Sequence, residues 1–295
     1  MILVDMNQVM ISSLMSQVGS NPNANLSEDL IRHMVLSTIL SYKKKFSDEY
    51  GEIIFCADDK NYWRKKIFPF YKANRKKARD ASKFDWNLIF STLNKIREEV
   101  KEVFPYLVIQ VESAEADDII ATLCKYSQNN SLNRVGLVTE PQKVLILSGD
   151  KDFLQLQKYK NVRQFSPLQK RYITTDDPRR FLIEHIINGD SGDGVPNFLS
   201  DDKVFVTEGL RQKPIRQVKL AEWVKFDDPS EFCDSDMLRN YKRNESLIDL
   251  SFIPDEIQSS IILKYETRSV GDRKKMFNYF VTNKLKYLMD SISEF

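Results

Sequence analysis

Val144-Leu-Ile-Leu-Ser-Gly-Asp150-Lys-Asp152 places four apolar residues, enough for a short buried strand, directly before a pair of carboxylates. Two stretches upstream share this form, Ile2-Leu-Val-Asp5 and Ile53-Ile-Phe-Cys-Ala-Asp58. A fourth apolar run, Leu107 to Val111, leads into Glu112-Ser-Ala-Glu115-Ala-Asp117-Asp118. Segments of helical spacing separate these runs: Leu30 to Phe46, opened by the cap-like Ser27-Glu-Asp29, then Trp86 to Phe104 and Ala116 to Tyr126. Strand alternating with helix predicts an α/β fold with a mostly parallel central sheet flanked by helices. The carboxyl ends of parallel strands share one edge, so Asp5, Asp58 and Asp150 should converge on one crevice, joined by the acids around Asp117.

Beyond Asp152 the rhythm changes. Val162 to Phe165 and Arg171 to Thr174 flank a turn and predict a β-hairpin, and segments from about residue 178 read as mainly helical. Gly19 to Leu26, Asn129 to Pro141 and Glu208 to Pro214 read as surface loops.

Composition narrows the chemistry. Two histidines, His33 and His185, and three scattered cysteines, Cys56, Cys124 and Cys233, argue against a disulfide framework, a zinc site or histidine-based catalysis, and fit a reducing, cytosolic compartment. Neither a signal peptide nor a membrane span is expected, because no basic region opens the chain and no long apolar run follows. Any chemistry must rest on carboxylates. Two unit charges about 4 Å apart repel by about 4 kcal/mol at an effective dielectric near 20, so clustered acids call for cations. Oxygen ligands alone select a hard ion, Mg²⁺ or Mn²⁺, and two such ions suit phosphodiester hydrolysis. Taken singly, each Asp after a strand is also a plausible helix N-cap.

Net charge is only +2, yet Lys60 to Lys83 holds ten Lys and Arg against the single acid Asp80. Aromatics alternate with cations there, as Tyr62-Trp-Arg64-Lys65 and Tyr71-Lys72-Ala-Asn-Arg75-Lys76-Lys-Ala-Arg79. Such a mixture suits a single nucleic-acid strand, bases stacking and phosphates paired; the alternative is a solvated helix whose aromatics pack inward. In Gly189-Asp-Ser-Gly-Asp193-Gly-Val-Pro196, Asp190 and Asp193 share a face if they lie on one helical turn. The same cluster also reads as a plain turn.

Together, Leu3-Val-Asp5, Cys56-Ala-Asp58, Glu115-Ala-Asp117-Asp118, Ser148-Gly-Asp150-Lys-Asp152-Phe153 and Gly189-Asp-Ser-Gly-Asp193 resemble, in order and spacing, the flap endonuclease (5′-nuclease) family. Tyr62-Trp-Arg64, Tyr71-Lys72, Phe165-Ser-Pro167, Asn240-Tyr-Lys242 and Ser291-Ile-Ser-Glu-Phe295 are similar to its T-even bacteriophage branch, and the likeness runs nearly end to end. The resemblance implies a 5′-to-3′ exonuclease with RNase H and flap activity that removes RNA primers and adjoining DNA from lagging-strand fragments. Its substrates would be branched or nicked DNA and RNA:DNA duplexes with a 5′ end or flap. It implies two Mg²⁺ ions, replaceable by Mn²⁺: Asp5, Asp58, Asp117 and Asp150 at the first, Glu115, Asp152, Asp190 and Asp193 at the second, partly through water, with Asp118 in the same set.

By the same resemblance, residues 60–83 form an arch in a catalytic domain spanning 1–177, and 178–295 form a helical DNA-binding domain. Lys72 and Arg75 would meet the scissile phosphate and act with Asp117 and Asp150, while Tyr62, Arg64, Lys65, Tyr71, Lys76 and Arg79 would complete the nucleic-acid contact. A monomer in the cytoplasm of an infected bacterium, meeting a single-stranded-DNA-binding protein of the replication machinery, completes this picture. Two departures stand out. Asn197-Phe-Leu-Ser-Asp-Asp202 replaces the family's glycine-rich turn, which weakens the duplex-binding assignment and any potassium site there; and the first strand begins almost at Met1.

Two other readings share parts of the pattern. A PIN-type single-strand ribonuclease has the acidic crevice without a long basic arch, and a non-catalytic DNA-binding module explains the basic patch without the acids. A haloacid-dehalogenase-type phosphatase needs a second Asp where Asp5-Met-Asn7 has none.

Overall fold

The computed structural model describes residues 1–18, 26–80, 84–129 and 141–295, with the side chains of residues 76–78 and 129 left aside. β1 (Ile2–Asp5) runs straight into α1 (Met6–Val18), and α2 (Glu28–Tyr50) returns the chain to β2 (Ile53–Ala57). Ser27 caps α2 by accepting a hydrogen bond from the Leu30 amide. Two short helices follow, α3 (Arg64–Ile67) and α4 (Arg75–Asp80), then α5 (Trp86–Val103), β3 (Leu107–Gln110), α6 (Ala116–Asn129) and β4 (Val144–Leu147). A 3₁₀ segment, Lys151–Lys158, leads to β5 (Val162–Ser166) and β6 (Arg171–Ile173). The rest is helical: α7 (Pro178–Asn188), α8 (Gln217–Trp223), α9 (Ser235–Ile248), α10 (Asp255–Thr267), α11 (Met276–Thr282) and α12 (Lys286–Met289).

The sheet has the order β3-β2-β1-β4-β5-β6. All neighbours pair in parallel except β5 and β6, which form the expected hairpin. β1 is central: Ile2 pairs with Ile53 on one side and Leu145 on the other, so Asp5, Asp58 and Asp150 finish at one edge. Strand alternation sends Ile2, Val4, Phe55, Leu145 and Leu147 into one core with α1, α2 and α5. Leu3, Ile54, Cys56, Val144 and Ile146 enter the other, against α6 and α10. Both faces are covered, which explains the unbroken apolar runs.

Met276, Phe280, Leu288 and the terminal Phe295 join the first core, so the last helices fold back onto the sheet layer. A third cluster, containing Ile186, Ile187, Phe198, Leu220 and Leu247, also takes in Phe68 and Tyr71. The sequence does not predict helix α1: Met6, Val9, Met10 and Leu14 are its buried residues, and Ile11 and Met15, partly buried against the same core, widen the apolar face and blur the periodicity. The loop expected at Glu208 to Pro214 carries no helix or strand; those at Gly19 to Leu26 and Asn129 to Pro141 fall almost wholly outside the described residues. Among the described residues no helix is long and apolar enough to cross a membrane.

Candidate metal centre and nucleic-acid interface

Asp5 closes β1, where the Gln8 amide donates to its Oδ1 (3.1 Å) and the Ser148 hydroxyl to its Oδ2 (3.1 Å). Asp58 accepts from Asn7 Nδ2 (2.8 Å) and from the Ala116 amide (2.8 Å), so it fixes where α6 begins and Asp117 stands. Asp150 accepts from the Asp152 amide (3.0 Å): it caps the 3₁₀ segment and still faces the crevice. Asp5, Asp58, Asp117 and Asp150 line one cavity of about 400 Å³, with Lys72 and Arg75 in the same wall.

Burial and mutual repulsion disfavour the charged forms of Asp5, Asp117 and Asp150. Burial, then Asp58 and Asp150, push the Asp5 carboxyl up to about 7. Asp117 is driven well above the ordinary carboxylate range by burial and then by Asp150 and Asp5, and Asp150 is raised chiefly by burial. Crowded oxygen donors that lack counter-charge fit a hard divalent cation.

A second cavity of about 470 Å³ shares Gln8 and Asp150 with the first and is lined by Asp152, His185, Gly189 and Asp190. Burial and Asp150 push Asp152 up to about 8, and its Oδ1 is buried without a hydrogen bond. Asp190 Oδ1 accepts from the amides of Gly192 (2.7 Å) and Asp193 (3.1 Å), closing a tight turn in place of a helical turn. Gly189, at φ +66°, permits this turn, since a Cβ there would sit 2.5 Å from the Pro196 carbonyl. Oxygen donors and an orphaned carboxylate oxygen fit a second cation here.

Asp193 turns the other way, accepting from the Tyr71 hydroxyl (2.7 Å), pairing with Arg75 and lying 3.5 Å from Lys72 Nζ. Lys72 also pairs with Glu115 and adopts φ +57°, a left-handed conformation held by its amide donating to the Asp193 carbonyl (2.7 Å). Glu115 meets Arg64 (2.8 Å) as well, so its charge is already matched by two cationic side chains.

Three expectations need correction. Asp118 is fully buried, paired with Arg64 (2.8 Å) and accepting from Trp63 Nε1 (3.0 Å), so it braces the interior instead of binding metal. Arg64, 2% exposed, and Tyr71, 3% exposed, face Glu115 inside the protein instead of a nucleic acid. Trp63 and Phe68 are also buried, so much of the aromatic content of the basic stretch is core. Lys65, Arg75 and Arg79 remain exposed, Tyr62 is half-buried beneath Lys65, and the side chain of Lys76 lies outside the described residues.

Residues 1–182 match the model of the 5′-3′ exonuclease, N-terminal resolvase-like domain, and residues 179–295 match that of T4 RNase H, C terminal. The chain belongs to the 5′-3′ exonuclease family. Among its relatives in that family, Ribonuclease H of Enterobacteria phage T4 is 32% identical over 99% of this chain and 95% of its own length. A 5′-3′ exonuclease of Buchnera aphidicola is 28% identical over 55% of this chain and 53% of its own length. The bacteriophage T5 D15 flap endonuclease, solved with DNA and metal ions, has the same fold: TM-score 0.62, 16% identity, 90% of this chain and 97% of that one.

For this 5′-3′ exonuclease family member, sequence reading missed the residues that hold the acids in place. Ser148, Asn7 and Gln8 carry no charge pattern, although each lies within three residues of a strand-end Asp. The scarcity of histidine gives His185 no role; its place five residues before Asp190, in the last turn of a helix ahead of a glycine, is the available signal.

Proposed function

We propose that this chain is a metal-dependent 5′ nuclease, hydrolysing phosphodiester bonds at the 5′ end or flap of DNA and RNA:DNA duplexes. The observation that carries this reading is the cavity in which Asp5, Asp58 and Asp150, from three strand ends, and Asp117, from the first turn of α6, face Lys72 and Arg75. Two Mg²⁺ ions, replaceable by Mn²⁺, supply when bound an activated water and stabilisation of the leaving oxygen. Asp5, Asp58, Asp117 and Asp150 hold the first; Asp152 and Asp190 hold the second, with Asp193 and Glu115 nearby. Lys72 and Arg75 exchange these last carboxylates for the scissile phosphate and neutralise its developing charge. Exposed Lys65 and Arg79 guide the incoming strand.

Within this proposal residues 1–177 form the catalytic domain and 178–295 the duplex-holding part, whose last helices return to the sheet core. The similarity to a phage Ribonuclease H over nearly the whole chain supports removal of RNA primers and adjoining DNA during lagging-strand replication, in the cytoplasm of an infected bacterium. It would act as a monomer and meet a single-stranded-DNA-binding protein. A panel of a 5′ flap, a nicked duplex, an RNA:DNA hybrid and single-stranded RNA tests the reading. Cleavage from the 5′ end of the first three supports it. Cleavage of single-stranded RNA alone fits a PIN-type ribonuclease, and no cleavage with Mg²⁺ fits a non-catalytic binding module.

A further inference from the structure

We infer that His185 is a positioning residue for the second metal, setting the separation of Asp152 and Asp190; this rests on the two-metal reading above. The two carboxylates come from distant parts of the chain, one from the 3₁₀ segment after β4 and the other from the turn after α7. The imidazole lies between them, Nδ1 3.3 Å from Asp152 Oδ1 and Nε2 3.5 Å from Asp190 Oδ2. The ring plane is itself fixed. Phe181, one turn earlier on α7, meets it edge-on at 5.7 Å, and the Gly189 amide donates to the His185 carbonyl (2.8 Å) as the chain doubles back to present Asp190.

A ring whose two nitrogens each face a different carboxylate acts from behind the ligands. One nitrogen turned to a shared ion would have to give up its carboxylate. Here the contacts are ion-pair approaches of 3.3 and 3.5 Å that leave Asp152 Oδ1 without a hydrogen bond. Carboxylates that hold metals are aimed by polar groups set behind them, and losing one typically lowers metal affinity by about 10–100-fold. The width of the imidazole thus links the sheet edge to the helical region at the point where an ion would join them.

The test is Mn²⁺ binding by calorimetry and electron paramagnetic resonance on the full chain, without nucleic acid, for wild type, His185→Ala and His185→Gln. Wild type takes up two ions. In His185→Ala one site weakens by about 10–100-fold while the other stays within about twofold, and His185→Gln, which keeps an N–H donor for one carboxylate, weakens the same site by a smaller factor. Melting in EDTA checks that each variant folds; where His185→Ala does not, His185→Gln carries the comparison. Unchanged two-ion binding by the variants overturns this inference alone. So does equal weakening of both sites, which marks the ring as structural, and so does nitrogen hyperfine coupling to Mn²⁺ in wild type, which marks it as a ligand. A wild-type chain that binds fewer than two ions overturns the metal reading and this inference with it.

Discussion

Asp150 both caps the 3₁₀ segment and walls the acidic cavity, so capping and ligation are not competing explanations for it. Asp150→Asn and Asp117→Asn are each expected to abolish cleavage and spare binding, because phosphate neutralisation by the basic surface remains; binding and cleavage assays on one flap substrate check this. Asp193→Asn should be milder. Lys72→Ala should slow single-turnover cleavage at saturating substrate about a hundredfold, the typical cost of roughly 3 kcal/mol for losing a group that stabilises developing charge. A wild-type rate would reduce Lys72 to a binding role. Asp5, Asp58 and Asp150 were legible because they follow parallel strands whose ends share one edge, and Asp117 because it stands in the first turn of the helix after a fourth strand. Asp118 was not, since its neighbour Asp117 is chemically identical and only the helix face of α6 turns one to the cavity and the other to Arg64.

At the scale of elements, the composition of the segment after β2 mixes two functions. Arg64, Trp63, Phe68 and Tyr71 are its root, packed beneath the acids; Lys65, Arg75 and Arg79 are its exposed side. Removing one partner of a buried ion pair typically costs about 3–5 kcal/mol, because the other charge is left uncompensated. Arg64→Ala is therefore expected to lower the thermal midpoint severely, whereas Lys65→Ala leaves it unchanged and weakens substrate binding by an amount that shrinks as salt rises. Thermal melts and binding titrations across a salt series separate the two roles. The strands and hairpin were legible because each is a short apolar or alternating run bounded by turn residues. The turn at Asp190 to Val195 was less so, because its closure depends on Gly189 approaching Pro196 in space.

For the whole molecule, the acidic cavity opposes stability in the absence of metal. The Asp5 and Asp152 carboxyls rise from their ordinary values near 4 to about 7 and about 8. A carboxyl raised in the folded state favours folding while protonated, so this contribution is complete below about pH 4 and is lost as pH rises through 7 and 8. Melting in EDTA should therefore show the midpoint falling between pH 5 and pH 8, and added Mg²⁺ should raise it more at pH 8 than at pH 5; equal Mg²⁺ effects at both would contradict the clustering. The central claim, that these acids form the metal centre of a 5′ nuclease, is tested most directly by single-turnover cleavage of a 5′-labelled flap and an RNA:DNA hybrid in Mg²⁺ and in EDTA, with wild type beside Asp150→Asn. The account predicts cleavage from the 5′ end by wild type in Mg²⁺ only and none by Asp150→Asn; full cleavage in EDTA, or by Asp150→Asn, would contradict it.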